Sequence, residues 1–221
     1  MSVVLLHVAK GTLYLMGDKR ETILTKSEDN KNIVFEKRDN TTKIFKINDD
    51  VLIGCTGATN AYRQLLEIIL DSDFKVFEKA KDWNYSTIKS KLNYIYPQYY
   101  EYLKENSSRF PYGDEQISFQ VLLCGKVNDK FYTSEYGYYP EQPIENLSGE
   151  REFNKNSNTV AISCKPIFKN QYTNVYMSQE DFQKGLFNED SILKSFQNTL
   201  QIMSSVDDAI STNYDVLKLQ L

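Results

Sequence analysis

The sequence has 221 residues, of which 41% are hydrophobic and 25% charged, and 26 Lys+Arg against 30 Asp+Glu give a net charge of -4. This composition is typical of a folded globular protein and excludes a disordered tail, a fibrous repeat or a small disulfide scaffold. The mild acidic balance gives no electrostatic reason to expect binding to nucleic acid or to an anionic membrane. No linker or internal repeat divides the chain, so we predict a single domain over residues 1–221.

The number and positions of histidine and cysteine residues limit the catalytic bases, metal sites and disulfides that the chain can form. His7 is the single histidine and lies in an apolar run, so a metal site built on two or more histidines is excluded. A catalytic base other than imidazole is therefore expected. Cysteine occurs at three positions without zinc-ligand spacing, and we interpret the thiols as reduced core residues of a cytoplasmic protein. The chain start lacks the charged region of a signal peptide, and no apolar run approaches the roughly 18 residues of a membrane span.

The first quarter of the chain has the pattern of two strand hairpins. Residues 3–8 and 12–16 are short and apolar and are broken by Gly11. Residues 19–32 are polar and charged. A weak strand is predicted at 33–35, followed by a turn at 36–40. The second hairpin is predicted from the apolar residues of two further segments, 43–47 and 51–55.

After Gly57 the spacing of apolar residues becomes helical. A helix is predicted to 70, with Thr56 or Thr59 as its cap, and a second helix at 86–104 that Pro97 kinks. Loops are predicted at 107–116 and 142–157. The remaining predicted elements are strands at 117–124, 130–136 and 160–163, helices at 178–187 and 189–203, and a last strand from 209 to about 219. Clustered strands followed by clustered helices indicate an α+β fold with helices outside two sheets.

Four short motifs follow one another along the chain. They are Gly17-Asp18-Lys19-Arg20, Thr42-Lys43-Ile44-Phe45-Lys46-Ile47-Asn48, Gly54-Cys55-Thr56-Gly57-Ala58 and Asp208-Ala209-Ile210-Ser211. In this order they resemble the proteasome β-type subunits and the peptidase subunit of the bacterial ATP-dependent ring protease. This resemblance to the N-terminal nucleophile hydrolases covers essentially the whole chain. It implies a four-layer αββα sandwich of two antiparallel sheets.

The resemblance also implies roles for individual residues. The family's nucleophile lies sixteen positions before the aspartate, and counting back from Asp18 gives Ser2. Removal of Met1 would make Ser2 the N-terminal residue. Lys43 matches the family's essential lysine, although the segment before it is longer than usual. The remaining implied site residues are Gly57 in the oxyanion hole, Cys55 and Arg20 in substrate binding, Asp208 and Ser211 in orienting the N-terminus, and Ser163 as a supporting serine.

The chemistry explains why these groups belong together. A serine hydroxyl needs a base, and a free α-amine with an ordinary pKa of about 7.7–8.0 is suited to that role. Lys43 would lower the pKa of this amine, and Asp18 would keep Lys43 charged. The backbone N–H of Gly57, before a helix, would stabilise the oxyanion of an acyl-transfer reaction. No cofactor and no metal are implied.

Other interpretations stay open at this point. The resemblance implies a peptide or unfolded-protein substrate, a homo-oligomeric ring and a possible ATPase unfoldase partner. A non-catalytic ring subunit is the first alternative, because Ser replaces the usual Thr and Ser163-Cys164-Lys165-Pro166 departs from the family's Gly-Ser-Gly. An amidase of the same superfamily that acts on a small molecule is the second. Each of these site residues could instead have a purely structural role, as part of a turn, a surface ion pair or a solvent-exposed strand.

Overall fold

Two antiparallel sheets form the centre of the fold. The computed structural model describes residues 2–26, 33–70, 78–107, 117–140 and 149–221. One sheet has the strand order β10-β1-β2-β11, and the other has the order β5-β6-β7-β8-β9. A separate two-stranded sheet pairs β3 with β4. The strands are β1 (Val4–Ala9), β2 (Thr12–Asp18), β3 (Glu21–Lys26), β4 (Ile33–Arg38), β5 (Ile44–Asn48), β6 (Val51–Gly57), β7 (Phe119–Val127), β8 (Lys130–Tyr138), β9 (Gly149–Asn154), β10 (Thr159–Ser163) and β11 (Tyr214–Gln220).

Helices cover the outer face of each sheet. The second sheet packs against α1 and α2, and the first packs against α3 and α5. The helices are α1 (Thr59–Leu70), α2 (Tyr85–Asn106), α3 (Pro166–Met177), α4 (Glu180–Gln183) and α5 (Glu189–Val206), and a 3-10 turn spans Glu78–Ala80. None of the helices in the described part of the chain combines the length and apolar character that a membrane span needs.

The alternation of side chains along β1 explains the layering. Every residue of this strand is buried, because it has a covered surface on both sides. Leu5 contacts the cluster formed with α3 and α5, whereas Val4 and Leu6 pack into the layer between the two sheets. Strand residues alternate between faces, so one apolar strand contributes to two separate core layers. The predicted αββα sandwich of two antiparallel sheets is confirmed.

Both predicted hairpins are present, whereas several other elements differ from the sequence prediction. The helix predicted at 178–187 is wrong: α4 spans only Glu180–Gln183, and Gly185 takes a positive φ of 68° just after it. The actual helix is α3, which begins at Pro166, whose fixed φ suits a first helical position. The helix α1 begins at Thr59, and the Thr59 hydroxyl donates to Glu21 instead of capping the helix.

Two strands escaped prediction because their sequences are rich in polar and charged residues. β9 is an edge strand with the sequence Gly-Glu-Arg-Glu-Phe-Asn, of which only Phe153 is buried. Charged residues are common on edge strands, where they discourage pairing with other chains. β3 pairs only with β4 and so lies outside the two main sheets. The predicted loop at 107–116 and the first part of that at 142–157 lie mostly outside the described residues.

Candidate functional site

A buried ion pair joins the end of β2 to the start of β5. The Lys43 Nζ atom lies 2.9 Å from both carboxylate oxygens of Asp18 and also donates to the Arg20 carbonyl. Asp18 is fully buried and Lys43 is 4% exposed. The three hydrogens of the ammonium group thus have three acceptors, which compensates for much of the cost of burying the charge.

A glycine allows the two strands to approach this closely. A Cβ atom at Gly17 would lie 2.9 Å from Ile44 Cγ2 and 3.6 Å from Lys43 Cβ. Because real Cβ atoms do not come so near to a neighbour, any larger residue would push β5 away from β2. Gly17 in the Gly-Asp-Lys-Arg motif therefore positions Lys43 against Asp18.

The chain start is tied to the same carboxylate. Asp18 Oδ1 accepts a hydrogen bond of 2.7 Å from the Val3 backbone N–H, and the Asp18 N–H donates to the Val3 carbonyl at 3.1 Å. Ser2, directly before Val3, is 9% exposed. One oxygen atom of Asp18 thus bridges the main chain beside Ser2 and the ammonium of Lys43. The structure therefore places the main chain next to Ser2, the Asp18 carboxylate and the Lys43 ammonium in one cluster.

The electrostatics of Lys43 follow from burial. Removal from water lowers the pKa of Lys43 from its ordinary value, and the negative charge of Asp18 opposes that effect. Glu21 and Asp39 add further negative charge around the ammonium. A positive charge at this position disfavours protonation of any amine placed beside it.

Ser211 also reaches this cluster, whereas the Asp208 carboxylate does not. The Ser211 N–H donates to Asp18 Oδ2 at 3.4 Å, and Ser211 is 1% exposed. The side chain of Asp208 is 82% exposed and pairs with Lys37 on the protein surface. The main chain around Asp208 therefore contributes to the site, and its carboxylate lies outside the buried pair.

Arg20 joins three segments of the site. Its Nε and Nη2 atoms bind the two oxygens of Asp39 at 2.5 and 2.6 Å, and Nη1 donates to the carbonyls of Asp208 at 2.8 Å and Ile210 at 3.2 Å. Its backbone N–H donates to Asp18 Oδ2 at 3.1 Å. The guanidinium group therefore holds the segment that carries Ser211, and its donors are directed at the protein instead of a substrate.

Gly57 ends β6 with a backbone that other residues rarely adopt. Its φ is +86°, and a Cβ atom there would lie 2.3 Å from the Ser118 carbonyl oxygen. The chain of β6 reaches Gly57 directly from Cys55, whose N–H donates to the Lys43 carbonyl at 2.8 Å. Gly57 therefore lies at the same end of the sheet as the ion pair, just before α1. The Cys55 side chain is fully buried in the core formed with α1 and α2, and burial raises the pKa of its thiol.

Sequence reasoning did not identify Glu21 and Asp39 as parts of the site. The Glu21 oxygens accept hydrogen bonds of 3.0 Å from the hydroxyls of Thr41 and Thr59, which ties β3 to the start of α1. Asp39 follows β4 and binds Arg20. Both residues were missed because β3 was not predicted, and without this strand nothing places the segment 21–39 beside the site.

Ser163 lies at the end of β10, directly opposite Val4 of β1. It is 1% exposed, and its hydroxyl donates to Gln120 Oε1 at 3.0 Å. Ser163 and Gln120 thus form a polar contact between the two sheets. Among the described residues no group of three or more His, Cys, Asp or Glu side chains is placed to hold a metal ion.

The fold resembles that of known proteins, although the sequence does not. The chain is similar in structure to eukaryotic HslV from Trypanosoma brucei, with a TM-score of 0.54, 14% sequence identity and coverage of 99% of each chain. Neither the family models nor the sequences of curated proteins give a match. HslV is a proteasome-like N-terminal nucleophile hydrolase, so the resemblance read from the motifs is confirmed at the level of the fold.

Proposed function

We propose that the protein is a proteasome-like peptidase that cleaves peptide bonds with Ser2 as nucleophile and the α-amine of Ser2 as base. The observation that carries this proposal is the buried ion pair between Asp18 and Lys43, bridged through one oxygen to the backbone of Val3. A buried ion pair of lysine and aspartate beside the chain start is a costly arrangement for stability alone. In a hydrolase the same arrangement lowers the pKa of the amine and stabilises the serine alkoxide.

The reaction proceeds by acyl transfer. After removal of Met1, the α-amine of Ser2 takes the proton of its own hydroxyl as the oxygen attacks the substrate carbonyl. The Gly57 N–H stabilises the oxyanion, which is worth about 3 kcal/mol in comparable sites. The amine then gives its proton to the leaving group, and water releases the acyl group by the reverse sequence.

The biological setting is part of the same proposal. The protein acts on peptides or unfolded protein, works as a homo-oligomeric ring and receives substrate from an ATPase unfoldase. The whole-length likeness to HslV supports a ring of this type. The three cysteines are free and buried, which supports a place in the reducing cytoplasm.

Accurate mass and an activity-based electrophile test the proposal. The purified chain should lack Met1, and the probe should attach to Ser2. The Ser2→Ala variant should lose peptide hydrolysis by about 10³-fold or more and keep its assembly, because it retains the fold and loses the nucleophile. Ser205→Ala, at an exposed position of α5, is the matched control and should keep full activity. Comparable turnover by Ser2→Ala would refute the proposal, as would a blocked amine on the native chain.

A non-catalytic ring subunit is the second candidate. It is favoured by the exposed Asp208 carboxylate, which pairs with Lys37 instead of facing the chain start. This candidate predicts an assembled ring with no probe adduct at Ser2 and no hydrolysis in the native protein. The two candidates therefore separate on the native chain alone, before any variant is made.

A further inference from the structure

A second polar cluster crosses the interior from Ser163 to the outer helix layer. Ser163 Oγ donates to Gln120 Oε1 at 3.0 Å, and Gln120 Nε2 donates to Glu135 Oε2 at 3.1 Å. The same Glu135 oxygen lies 2.5 Å from Lys169 Nζ on α3. Gln120 is 2% exposed and the Glu135 side chain 12%. We call these four residues the Ser163 network.

The Ser163 network lies within an otherwise apolar layer. Val4, opposite Ser163, and Leu122, opposite Glu135, both belong to the cluster packed between the two sheets. An amide buried at such a position costs stability unless all of its groups are paired. Here both ends of the Gln120 amide are paired, so its orientation is fixed.

The direction of each hydrogen bond follows from the outer end of the network. An ammonium group can only donate, so Glu135 Oε2 must accept from Lys169. That oxygen then accepts from Gln120 as well, which requires the amide nitrogen of Gln120 to face Glu135. The amide oxygen consequently faces Ser163. The hydrogen between these two residues must come from the Ser163 hydroxyl, because the amide oxygen has none to give.

A serine whose hydrogen is committed in this way can only accept a further hydrogen bond. Ser163 is opposite Val4 on β1, and Ser2 lies two residues before Val4. Continuing the register of β1 by two residues makes Ser2 a diagonal neighbour of Ser163, and such neighbours in an antiparallel pair are about 7–8 Å apart at Cα, within reach of side chains and of a terminal amine. An amine N–H is a donor that suits the remaining lone pairs of Ser163 Oγ.

We propose that Gln120, Glu135 and Lys169 are positioning residues that hold Ser163 as a hydrogen-bond acceptor for the α-amine of Ser2. This proposal rests on the proposed function. By accepting one N–H, Ser163 turns the lone pair of the amine toward the Ser2 hydroxyl. If the Gln120 amide were reversed, Ser163 would donate to the amine and compete with Ser2 for that lone pair.

The test replaces Glu135 by glutamine, which has the same shape but can donate toward Gln120 and allow its amide to reverse. We expect kcat for a fluorogenic peptide to fall about tenfold with KM unchanged, the equivalent of one hydrogen bond. The pKa of the α-amine should fall by about one unit, because a donating Ser163 favours the neutral amine. Brief acetylation over a pH series, followed by mass spectrometry of the N-terminal peptide, measures this pKa. Asp18 and Lys43 are the same in the native protein and in Glu135→Gln, so their effects on the pKa of the amine cancel in the comparison.

Glu152→Gln is the matched control. Glu152 lies on β9, the neighbour of β8, and binds Lys130 at 2.5 Å on the surface. The same chemical change there should alter neither kcat nor the amine pKa. Lys169→Gln cuts the network at its more accessible end and repeats the test should Glu135→Gln fold poorly.

A double-mutant cycle separates positioning from general destabilisation. Once Ser163→Ala has removed the acceptor, Glu135→Gln should have no further effect on kcat or on the amine pKa. Independent effects of the two changes, or an unchanged amine pKa in Glu135→Gln, would overturn the proposal. If the native protein hydrolyses no peptide but Glu135→Gln still lowers the pKa of the α-amine, the role of the network would be supported and the peptidase function refuted. Retention of Met1 would overturn both.

Discussion

Among the described residues two basic side chains are buried, and the contrast between them is informative. His7 on β1 is fully buried, and Lys43 before β5 is 4% exposed. The hydrogen-bond partners of His7 in the described part of the chain are neutral: Nδ1 lies 2.8 Å from the Tyr176 hydroxyl and Nε2 lies 2.9 Å from Asn158 Oδ1. Lys43 contacts a carboxylate. Burial favours the neutral form of both side chains, and a charged neighbour opposes that effect at Lys43 but not at His7.

The surroundings of His7 give it a structural role. The rings of Tyr176, Phe182 and Phe187 lie around it with centroids 5.7–6.0 Å away. Burial lowers the pKa of His7 to about 4, although the hydrogen bond with Asn158 raises it. With the Asn158 oxygen accepting, Nε2 carries the hydrogen and Nδ1 accepts from Tyr176. The neutral imidazole thus fastens β1 to α3 and to the segment before β10.

The largest expected effect comes from removing the charge of Lys43. Lys43→Met leaves the Asp18 carboxylate buried without its partner, which should lower the free energy of unfolding by about 3–5 kcal/mol. Urea denaturation followed by circular dichroism measures the loss, and peptide hydrolysis should disappear together with it. The double variant Asp18→Asn with Lys43→Met removes both charges and should recover part of the stability but none of the activity, because the amide nitrogen of asparagine cannot accept from the N–H groups that Asp18 binds. Equal stability of the single and double variants would contradict the importance of the buried charge.

The second prediction concerns the pH dependence that His7 imposes. Its pKa in the folded protein is about 4, against an ordinary value of 6.5, so the unfolded chain binds the proton more readily. Stability from this group is therefore complete above about pH 6.5 and is lost as the pH falls toward 4, by about 3 kcal/mol at most. Urea denaturation at intervals between pH 4 and 7 measures this slope.

His7→Gln serves as the control for that slope. His7 is the sole histidine of the sequence, so its replacement removes the sole imidazole from the titration. The variant is expected to lose stability at every pH but to show a much flatter dependence between pH 5 and 6.5. An unchanged slope would mean that His7 is not the group responsible.

The smallest expected effect is that of replacing Arg20, a cation that is partly exposed, unlike the buried His7 and Lys43. Arg20→Lys keeps the charge but cannot bind both oxygens of Asp39 together with the carbonyls of Asp208 and Ile210. We expect a loss of about 1 kcal/mol in stability and a reduction in activity through the displaced Ser211 segment. Arg38→Lys is the control, because Arg38 forms a similar fork with Glu36 on the exposed side of β4. Equal effects of the two changes would argue against a special role for Arg20.

The strongly patterned parts of the fold were predictable from sequence. The hairpins of β1 with β2 and of β5 with β6 carry continuous or alternating apolar residues, and α1, α2 and α5 have helical spacing. By contrast, α3, β3 and β9 have weak patterns: α3 is rich in polar and aromatic residues, and β9 has a single buried side chain, Phe153. Such elements are stabilised by pairing and packing with other elements, as β3 is by β4 and β9 by β8, which the local pattern does not reveal.

The candidate site likewise has features that the sequence predicted and features that it did not. The motifs around Asp18, Lys43 and Gly57 pointed to residues that the fold brings to one end of the sandwich. Sequence alone could not place the carboxylate of Asp208 at the surface, nor direct the donors of Arg20 toward Asp39. These outcomes depend on side-chain directions, which follow from the packing of segments far apart in the chain.

The sequence by itself determined the sandwich of two sheets, because apolar runs that must be buried on both faces require covering layers on each side. It also determined that imidazole chemistry is limited to one residue, since there is one histidine to supply it. The tertiary structure alone decided which charges are compensated. Whether a buried ammonium has a carboxylate within 3 Å, as Lys43 has, depends on how two strands pack and not on the order of their residues.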